Sequence, residues 1–164
     1  MNIFSRSLAC AAVLTLTLVG TEAFAQKRVS NKLSGLSLDA HRPDVGRNDC
    51  RIQLWSDFGL ANQRWNFTNL GNGYYKITNA ASGKALAAHL FDVNRNDCRI
   101  QLWDYIGTKN QQWKVVGVGA GYFKILNRAS GKALAADLFN AGNNGCRTQL
   151  WDYIGWDNQI WRIN

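Results

Sequence analysis

Glutamate and histidine are scarce in this chain of 164 residues. The only glutamate is Glu22, and the only histidines are His41 and His89. No cluster of His, Cys and Asp has the spacing of a metal site, so we expect neither a metal nor another cofactor. Aspartates alone could supply the carboxylate pair of a glycosidase, but no acid in the sequence has an evident means of keeping a raised pKa. The composition therefore speaks against an enzyme.

Long apolar runs are also missing, apart from one near the N-terminus. The segment from Met1 to Arg6 carries one positive charge, Leu8 to Gly20 is apolar, and Ala23-Phe24-Ala25 is typical of a small-residue cleavage site. The run is shorter than the ~18 apolar residues of a membrane span and is interrupted by threonines. We expect residues 1–25 to be a signal peptide, no transmembrane segment, and a secreted or periplasmic protein that begins at Gln26.

The remaining residues, 26–164, form a basic polypeptide of the size of one domain. They contain 18 Lys and Arg against 10 Asp, and the formal net charge is +8. Such a charge favours acidic partners, or it serves only to keep an exported protein soluble. The basic residues are scattered without any run, and the protein is exported, so nucleic acid is an unlikely partner.

Three cysteines remain after cleavage, at Cys50, Cys98 and Cys146. An odd number at equivalent positions argues against a disulfide framework. In the stretch from Cys50 to Trp55 the apolar residues share one parity, so a strand would point Cys50, Ile52 and Leu54 to the same face. We expect three reduced, buried thiols that pack as small apolar side chains.

The chain matches itself three times at a spacing of 48 residues. Gln-Leu-Trp occurs at 53–55, 101–103 and 149–151, and a second tryptophan follows ten residues after each. Other residues of the first copy recur unchanged 48 and 96 positions further along the chain: Asn31, Ser34, Gly35, Leu38, Ala40, Asn48, Cys50, Arg51, Gly59, Asn62 and Gln63. A repeat of this length indicates one supersecondary unit that buries its apolar face only against its copies. We place the copies at about 26–70, 71–118 and 119–164.

Each copy consists of short alternating runs separated by turn residues, with almost no helix signal. Gly71-Asn72-Gly73 and Gly119-Ala120-Gly121 mark tight reversals between the copies. We expect about four short strands in each copy and about twelve in all. Three units are too few for a propeller, so an all-β barrel closed with threefold pseudosymmetry fits better.

The repeated motif resembles that of a known family. Gln-Leu-Trp followed by Asn-Gln-x-Trp, three times over, is similar to the QxW repeats of the ricin B-type lectins, which are β-trefoils. The resemblance covers all of 26–164. It implies that Trp65, Trp113 and Trp161 lie in the core and that the glutamine of each QxW helps to hold a turn.

Trp55, Trp103 and Trp151 have the opposite strand parity from Ile52 and Leu54 and their equivalents, so we expect them on the outer face. An exposed indole beside amide groups is typical of a sugar site, because the ring covers the apolar face of the sugar. A neighbouring loop that covers the ring is the alternative.

The resemblance also implies a carboxylate after the leucine of the second strand. Only the first copy has it, as Asp39; Ala87 and Ala135 stand at the equivalent positions. The predicted carbohydrate-binding residues of the first copy are Asp39, Gln53, Trp55, Asn62 and Gln63. The weaker sites are Gln101, Trp103 and Asn110 in the second copy, and Gln149, Trp151 and Asn158 in the third.

These residues predict a secreted lectin whose partners are glycans, galactose-type or branched. His89 and Asp137 align with His41 and could rebuild the two weaker sites. A toxin or enzyme partner encoded separately is left open. The alternative is a basic β-trefoil that binds a protein or an anionic polymer and whose sugar pockets are vestigial.

Overall fold

The computed structural model describes residues 26–164; the predicted signal peptide lies outside them. Within the described residues there are twelve strands and five single turns of 3-10 helix, and no α-helix. The strands are β1 Val29–Asn31, β2 Ser37–Ala40, β3 Cys50–Trp55, β4 Trp65–Gly71, β5 Tyr74–Asn79, β6 Ala85–Ala88, β7 Ile100–Trp103, β8 Trp113–Gly119, β9 Tyr122–Asn127, β10 Ala133–Ala136, β11 Cys146–Trp151 and β12 Trp161–Ile163. The 3-10 turns are Arg42–Asp44, Ala61–Gln63, Leu90–Asp92, Lys109–Gln111 and Asp157–Gln159.

Six of these strands close into a barrel. Strand β1 pairs with β12, and the ring continues through β9, β8, β5 and β4. Lys27 bridges to Trp65 and joins the ring to its beginning. Closure leaves no free edge on the ring. The expected barrel with threefold pseudosymmetry is therefore confirmed.

The other six strands form three hairpins, β2–β3, β6–β7 and β10–β11. The hairpins pair with one another through β3–β7 and β11–β3 and through a bridge between Arg99 and Gln149. In the first hairpin Asp39 pairs with Gln53, and the equivalent pairs are Ala87 with Gln101 and Ala135 with Gln149. The hairpin register thus puts two predicted site residues side by side.

The second tryptophan of each copy lies in the core, as predicted. Trp65, Trp113 and Trp161 are all 0% exposed. Each indole Nε1 donates to the backbone oxygen of the leucine at the centre of its own hairpin: Trp65 to Leu38 at 3.0 Å, Trp113 to Leu86 at 2.8 Å and Trp161 to Leu134 at 2.9 Å. A buried indole N–H needs such a partner, and this bond ties each hairpin to the barrel.

The three thiols are free and buried, as the strand parity predicts. The Sγ atom of Cys50 lies 3.6 Å from the backbone oxygen of His41, and Cys98 and Cys146 make equivalent contacts. Burial raises the pKa of each thiol to about 11. The thiolate, which is the reactive form, is therefore disfavoured at neutral pH.

An asparagine loop joins each hairpin to the next copy. Asn48 Oδ1 accepts from the backbone N–H of Asp104 at 2.9 Å and from Lys84 Nζ at 3.0 Å. Lys84 also forms an ion pair with Asp104. The same arrangement recurs with Asn96, Asp152 and Lys132. The lysines and aspartates shared by copies two and three thus link neighbouring copies.

The predicted reversals at 71–73 and 119–121 are the turns of the β4–β5 and β8–β9 hairpins. Asn72 and Ala120 adopt positive φ angles of 54° and 51°, and the glycines around them are also positive. Such φ angles are readily adopted by glycine, which explains the glycine pairs.

Candidate functional site

Each copy has one cleft, between its hairpin and the 3-10 turn that precedes its core tryptophan. The clefts of copies one, two and three have volumes of about 410, 260 and 540 Å³. The residues predicted for each site all line the cleft of their own copy. They are Asp39, Gln53, Trp55, Asn62 and Gln63 in the first, Gln101, Trp103 and Asn110 in the second, and Gln149, Trp151 and Asn158 in the third.

The carboxylate of Asp39 is held in the first cleft by two amide groups. Gln53 Nε2 donates to its Oδ1 at 2.9 Å, and Asn62 Nδ2 donates to its Oδ2 at 2.8 Å. Asn62 also donates to the backbone oxygen of Ala40 at 2.9 Å. Asp39 is only 4% exposed. Because each carboxylate oxygen has about two acceptor positions, one donor on each oxygen leaves capacity for a ligand.

Burial raises the pKa of Asp39, while the hydrogen bonds from Gln53 and Asn62 and the charge of His41 act in the opposite direction. The expectation that no acid has a means of keeping a raised pKa is therefore wrong: the hairpin register removes this carboxylate from water, which composition does not reveal. Asp39 is the only acid that lines the first cleft. The second carboxylate that glycoside hydrolysis requires is thus missing from this cleft.

Gln63 supports a turn at the edge of the cleft. Its Oε1 accepts from the backbone N–H of Phe58 at 2.8 Å, and its Nε2 donates to the backbone oxygen of Ser56 at 2.8 Å. Gln111 and Gln159 make the same pair of bonds in the other copies. This glutamine holds the segment that carries Phe58 over the cleft.

The first tryptophan of each copy lies on the outer face, as strand parity predicts. Trp103 is 37% exposed and Trp151 is 38% exposed, while Trp55 is half-buried. A Cβ atom built on Gly145 would lie 3.7 Å from Cζ3 of Trp55. The loop of the third copy therefore covers part of the Trp55 ring, and the rest of the ring borders the cleft.

The second and third clefts keep the amides but lack the carboxylate. Asn110 Nδ2 donates to the backbone oxygen of Ala88 at 2.7 Å, the counterpart of the bond from Asn62 to Ala40. Four side-chain acceptors of the described residues are buried without a hydrogen-bond partner, all of them at the clefts: Gln53 Oε1, Gln101 Oε1, Asn110 Oδ1 and Asn158 Oδ1. Unpaired buried acceptors are uncommon and indicate positions where a ligand can donate.

Sequence reasoning missed the apolar side chain that precedes the recurring glycine. Phe58, Ile106 and Ile154 each line the cleft of their own copy and are largely exposed. Their common spacing of 48 residues was the signal that could have revealed them. Trp156 is a further exposed aromatic residue in the third cleft.

Two residues that we expected to rebuild the weaker sites do line them. His89 lies in the second cleft, and its Nδ1 is 2.8 Å from Oδ2 of Asp92. Asp137 lies in the third cleft, where Arg147 Nη2 is 3.8 Å from its Oδ2.

Two further features concern the described residues 26–164 as a whole. No group of three or more His, Cys, Asp or Glu side chains among them could hold a metal ion. No helix in this part of the chain is both long enough and apolar enough to cross a membrane.

Twelve strands in three copies, six of them closed into a barrel and six paired in three hairpins that cap it, define a β-trefoil of the lectin type. A family model described as "Ricin-type beta-trefoil lectin domain-like" matches residues 17–103, 61–151 and 109–164. The chain belongs to this family, as its repeated motif predicts. A search of curated proteins found no match.

Solved structures show the same fold. ThreeFoil, a designed protein with threefold symmetry, is 34% identical with a TM-score of 0.80, over 84% of this chain and 96% of that one. The exo-β-1,3-galactanase 1,3Gal43A from Clostridium thermocellum is 32% identical with a TM-score of 0.78; the match covers 84% of this chain but only 29% of the enzyme. A ricin B-like lectin from Macrolepiota procera, solved with lactose, is 18% identical with a TM-score of 0.73, over 86% of this chain and 95% of that lectin.

Proposed function

We propose that this protein is an exported lectin without enzymatic activity that holds a sugar in the first cleft, on the carboxylate of Asp39 and against the indole of Trp55. The observation that carries the proposal is the buried carboxylate of Asp39, fixed by Gln53 and Asn62 with acceptor capacity left over. Two adjacent hydroxyls of a sugar can donate to the two oxygens of one carboxylate.

The remaining polar and apolar groups of the cleft suit the rest of a sugar ring. Gln53 Oε1 is a buried acceptor without a partner and can receive a further hydroxyl. Trp55 and Phe58 offer ring surface to the C–H face of the sugar. The family supports carbohydrate binding, and the Macrolepiota lectin was solved with lactose, so galactose-type sugars are the first candidates.

The second and third clefts act as auxiliary sites. Gln101 Oε1 and Asn110 Oδ1 replace the missing carboxylate as acceptors in the second cleft, and Asn158 Oδ1 does so in the third. Neutral acceptors form weaker hydrogen bonds than a carboxylate does, so each site alone binds weakly. Several weak sites on one branched or polymeric glycan raise the avidity by roughly 10²-fold or more when the geometry allows simultaneous binding.

Export and partners belong to the same proposal. The N-terminal charge, apolar run and cleavage motif support secretion or export to the periplasm. Buried thiols with raised pKa values tolerate an oxidising compartment. A lectin of this size can also deliver a toxin or enzyme encoded separately.

The second candidate is a basic β-trefoil that binds a protein or an anionic polymer. The net charge of +8 and the alanines at 87 and 135 favour it. Binding by the basic surface as a whole would weaken steeply as salt is raised, whereas stacking and neutral hydrogen bonds would respond little.

The test is a glycan array, followed by calorimetric titration, on the wild type and on Asp39→Ala. Alanine occupies the equivalent positions 87 and 135 in buried surroundings, so the variant should fold. We expect the affinity to fall by roughly 5- to 150-fold, because an unpaired sugar hydroxyl costs about 1–3 kcal/mol.

The matched control is Asp157→Ala. It removes the same charge from the surface, where Asp157 pairs with Lys32. Sugar binding that survives Asp39→Ala unchanged would refute the proposed site.

A further inference from the structure

We infer that the first cleft has an anion subsite formed by Arg42 and Arg51, and that its ligand is an acidic glycan. In such a glycan, a carboxylate or sulfate ester stands on a unit next to the sugar that Asp39 holds. The inference rests on the proposed function and adds the class of glycan to it.

Both arginines line the same cleft as Asp39. Both are exposed, and the structure of residues 26–164 gives neither guanidinium an ion pair or a side-chain hydrogen bond. The guanidinium group is planar and always charged, and its fork of N–H donors matches the oxygens of a carboxylate or sulfate. The cleft therefore offers two guanidinium groups, neither of them paired with an acid of the described residues, as donors to an anion.

Almost all of the aspartates of this molecule already have partners, so few acids are left to pair with the two arginines. Eight of its ten aspartates lie within ion-pair distance of a Lys, Arg or His side chain, and the exceptions are Asp39 and Asp97. Asp39 lines the cleft with Arg51, yet its oxygens bind amides instead. The two guanidinium groups and the carboxylate of Asp39 can therefore bind separate parts of a ligand.

In the other two copies the counterpart of Arg51 is paired and the counterpart of Arg42 is replaced. Arg99, the counterpart of Arg51, has its Nη2 at 2.7 Å from Oδ1 of Asp49. Arg147, the third counterpart, donates from Nη2 to Gln149 Oε1 at 2.6 Å and lies 3.8 Å from Asp137. Leucines at 90 and 138 replace Arg42. The copy that keeps the carboxylate is thus the copy that keeps two unpaired guanidiniums.

The charges of the cleft also orient the ligand. Nδ1 of His41 lies 2.7 Å from Oδ2 of Asp44, so the carboxylate of Asp44 already has a partner. The anionic group of a ligand is repelled by ionised Asp39 and attracted by the arginines, so it must lie at the arginine side. A neutral sugar unit then occupies the position at Asp39, and the acidic group belongs to its neighbour.

The experiment compares three probes by calorimetric titration: lactose, sialyllactose, and lactose 6-sulfate with its sulfate ester on the glucose next to galactose. The test variant is Arg42→Leu with Arg51→Gln, which gives the first cleft the leucine of the other copies. The control variant is Arg47→Gln with Lys114→Gln, which removes two exposed charges that do not line this cleft. The third variant is Asp39→Ala.

We expect the wild type and the control to bind at least one acidic probe about 10-fold more tightly than lactose, since charge-assisted hydrogen bonds are stronger than neutral ones. The test variant should lose that preference and keep its affinity for lactose. A preference for sialyllactose alone indicates a carboxylate subsite, and a preference for lactose 6-sulfate alone indicates a sulfate subsite.

Two results would overturn the inference. Equal affinity for all three probes, or an acidic preference that survives in the test variant, would refute the anion subsite and leave the sugar site at Asp39 intact. If acidic probes bind and Asp39→Ala changes nothing, the proposed function itself fails and a general polyanion surface replaces it.

Discussion

Asn62 Nδ2 lies 2.8 Å from Oδ2 of Asp39 and fixes this carboxylate from the 3-10 turn below the hairpin. The same amide donates to Ala40, and its counterparts Asn110 and Asn158 keep only that second bond. The hydrogen bond from this asparagine to the hairpin backbone is thus the same in all copies, and only the first copy has the carboxylate. Copies two and three show what the first cleft would be without Asp39.

Sugar affinity should depend on pH through Asp39. Burial raises its pKa, so on acidification it takes up a proton at a higher pH than an ordinary aspartate does. Protonation turns one acceptor oxygen into a donor and removes the charge. We expect the association constant to fall as the pH is lowered, starting at a higher pH than an ordinary aspartate pKa of about 3.9 would give, with the fall absent in Asp39→Ala. Titrations from pH 7 to pH 4 would check this, with His41→Gln as the control for the neighbouring histidine.

The two tryptophans of one copy should differ in their effect on stability. Trp113→Ala removes a fully buried indole and its bond to Leu86, and we expect it to cost about 3–5 kcal/mol of unfolding free energy. Trp103→Ala removes an indole that is 37% exposed and should cost much less while weakening sugar binding at the second cleft. Urea denaturation measures both costs, and equal values would contradict the structure.

The ion pair of Lys84 with Asp104 should stabilise the link between copies in a pH-dependent way. The hydrogen bond from Lys84, with a smaller effect of Asn48, holds the pKa of Asp104 below its usual value. A depressed folded-state pKa contributes stability that is present above the unfolded value of about 3.9 and is lost as the pH falls through the folded value.

We therefore expect Lys84→Met to lower the Tm at pH 7, with a smaller difference from the wild type at pH 2.5. Lys109→Met, on an exposed residue without an ion pair, is the control. A Tm difference that persists unchanged at pH 2.5 would mean that packing of the lysine stem, not the ion pair, stabilises the link.

The three core thiols should resist alkylation in the folded protein. Burial raises their pKa to about 11, so little thiolate exists at pH 8 and access is closed. We expect iodoacetamide to modify Cys50, Cys98 and Cys146 at pH 8 only after denaturation, as read by mass spectrometry of the peptides. Rapid modification of the native protein would show that the hairpins open locally.

Much of this fold can be predicted from the sequence because its information is repeated. Trp65, Trp113 and Trp161 recur in register, so a single misjudged residue cannot hide the period. Strand parity separates Ile52 and Leu54 from Trp55, and the structure agrees. These inferences need only local geometry, which a chain with short strands and clear turns provides.

The details of the cleft depend on contacts that are distant in sequence, and these were not predictable. The raised pKa of Asp39 follows from its burial in the first hairpin, where the strand register places it opposite Gln53. Within residues 26–164 Arg51 has no ion pair, whereas its counterpart Arg99 pairs with Asp49 of the preceding copy. The sequence does not show this difference. Sequence motifs identify which residues meet a ligand, but they do not reveal which charges already have partners.

Pairing between β1 and β12 brings the two ends of the described chain together. The backbone N–H of Arg28 donates to Asn164, and that of Asn164 donates to Arg28, both at 3.0 Å. The chain could therefore begin at another copy: a circular permutant that joins these ends and opens at the β4–β5 turn would retain every strand of the ring and the cyclic order of the copies. The ring of strands can thus start at any of the three copies. A segment fused to either end of the described chain would extend from the same place on the barrel.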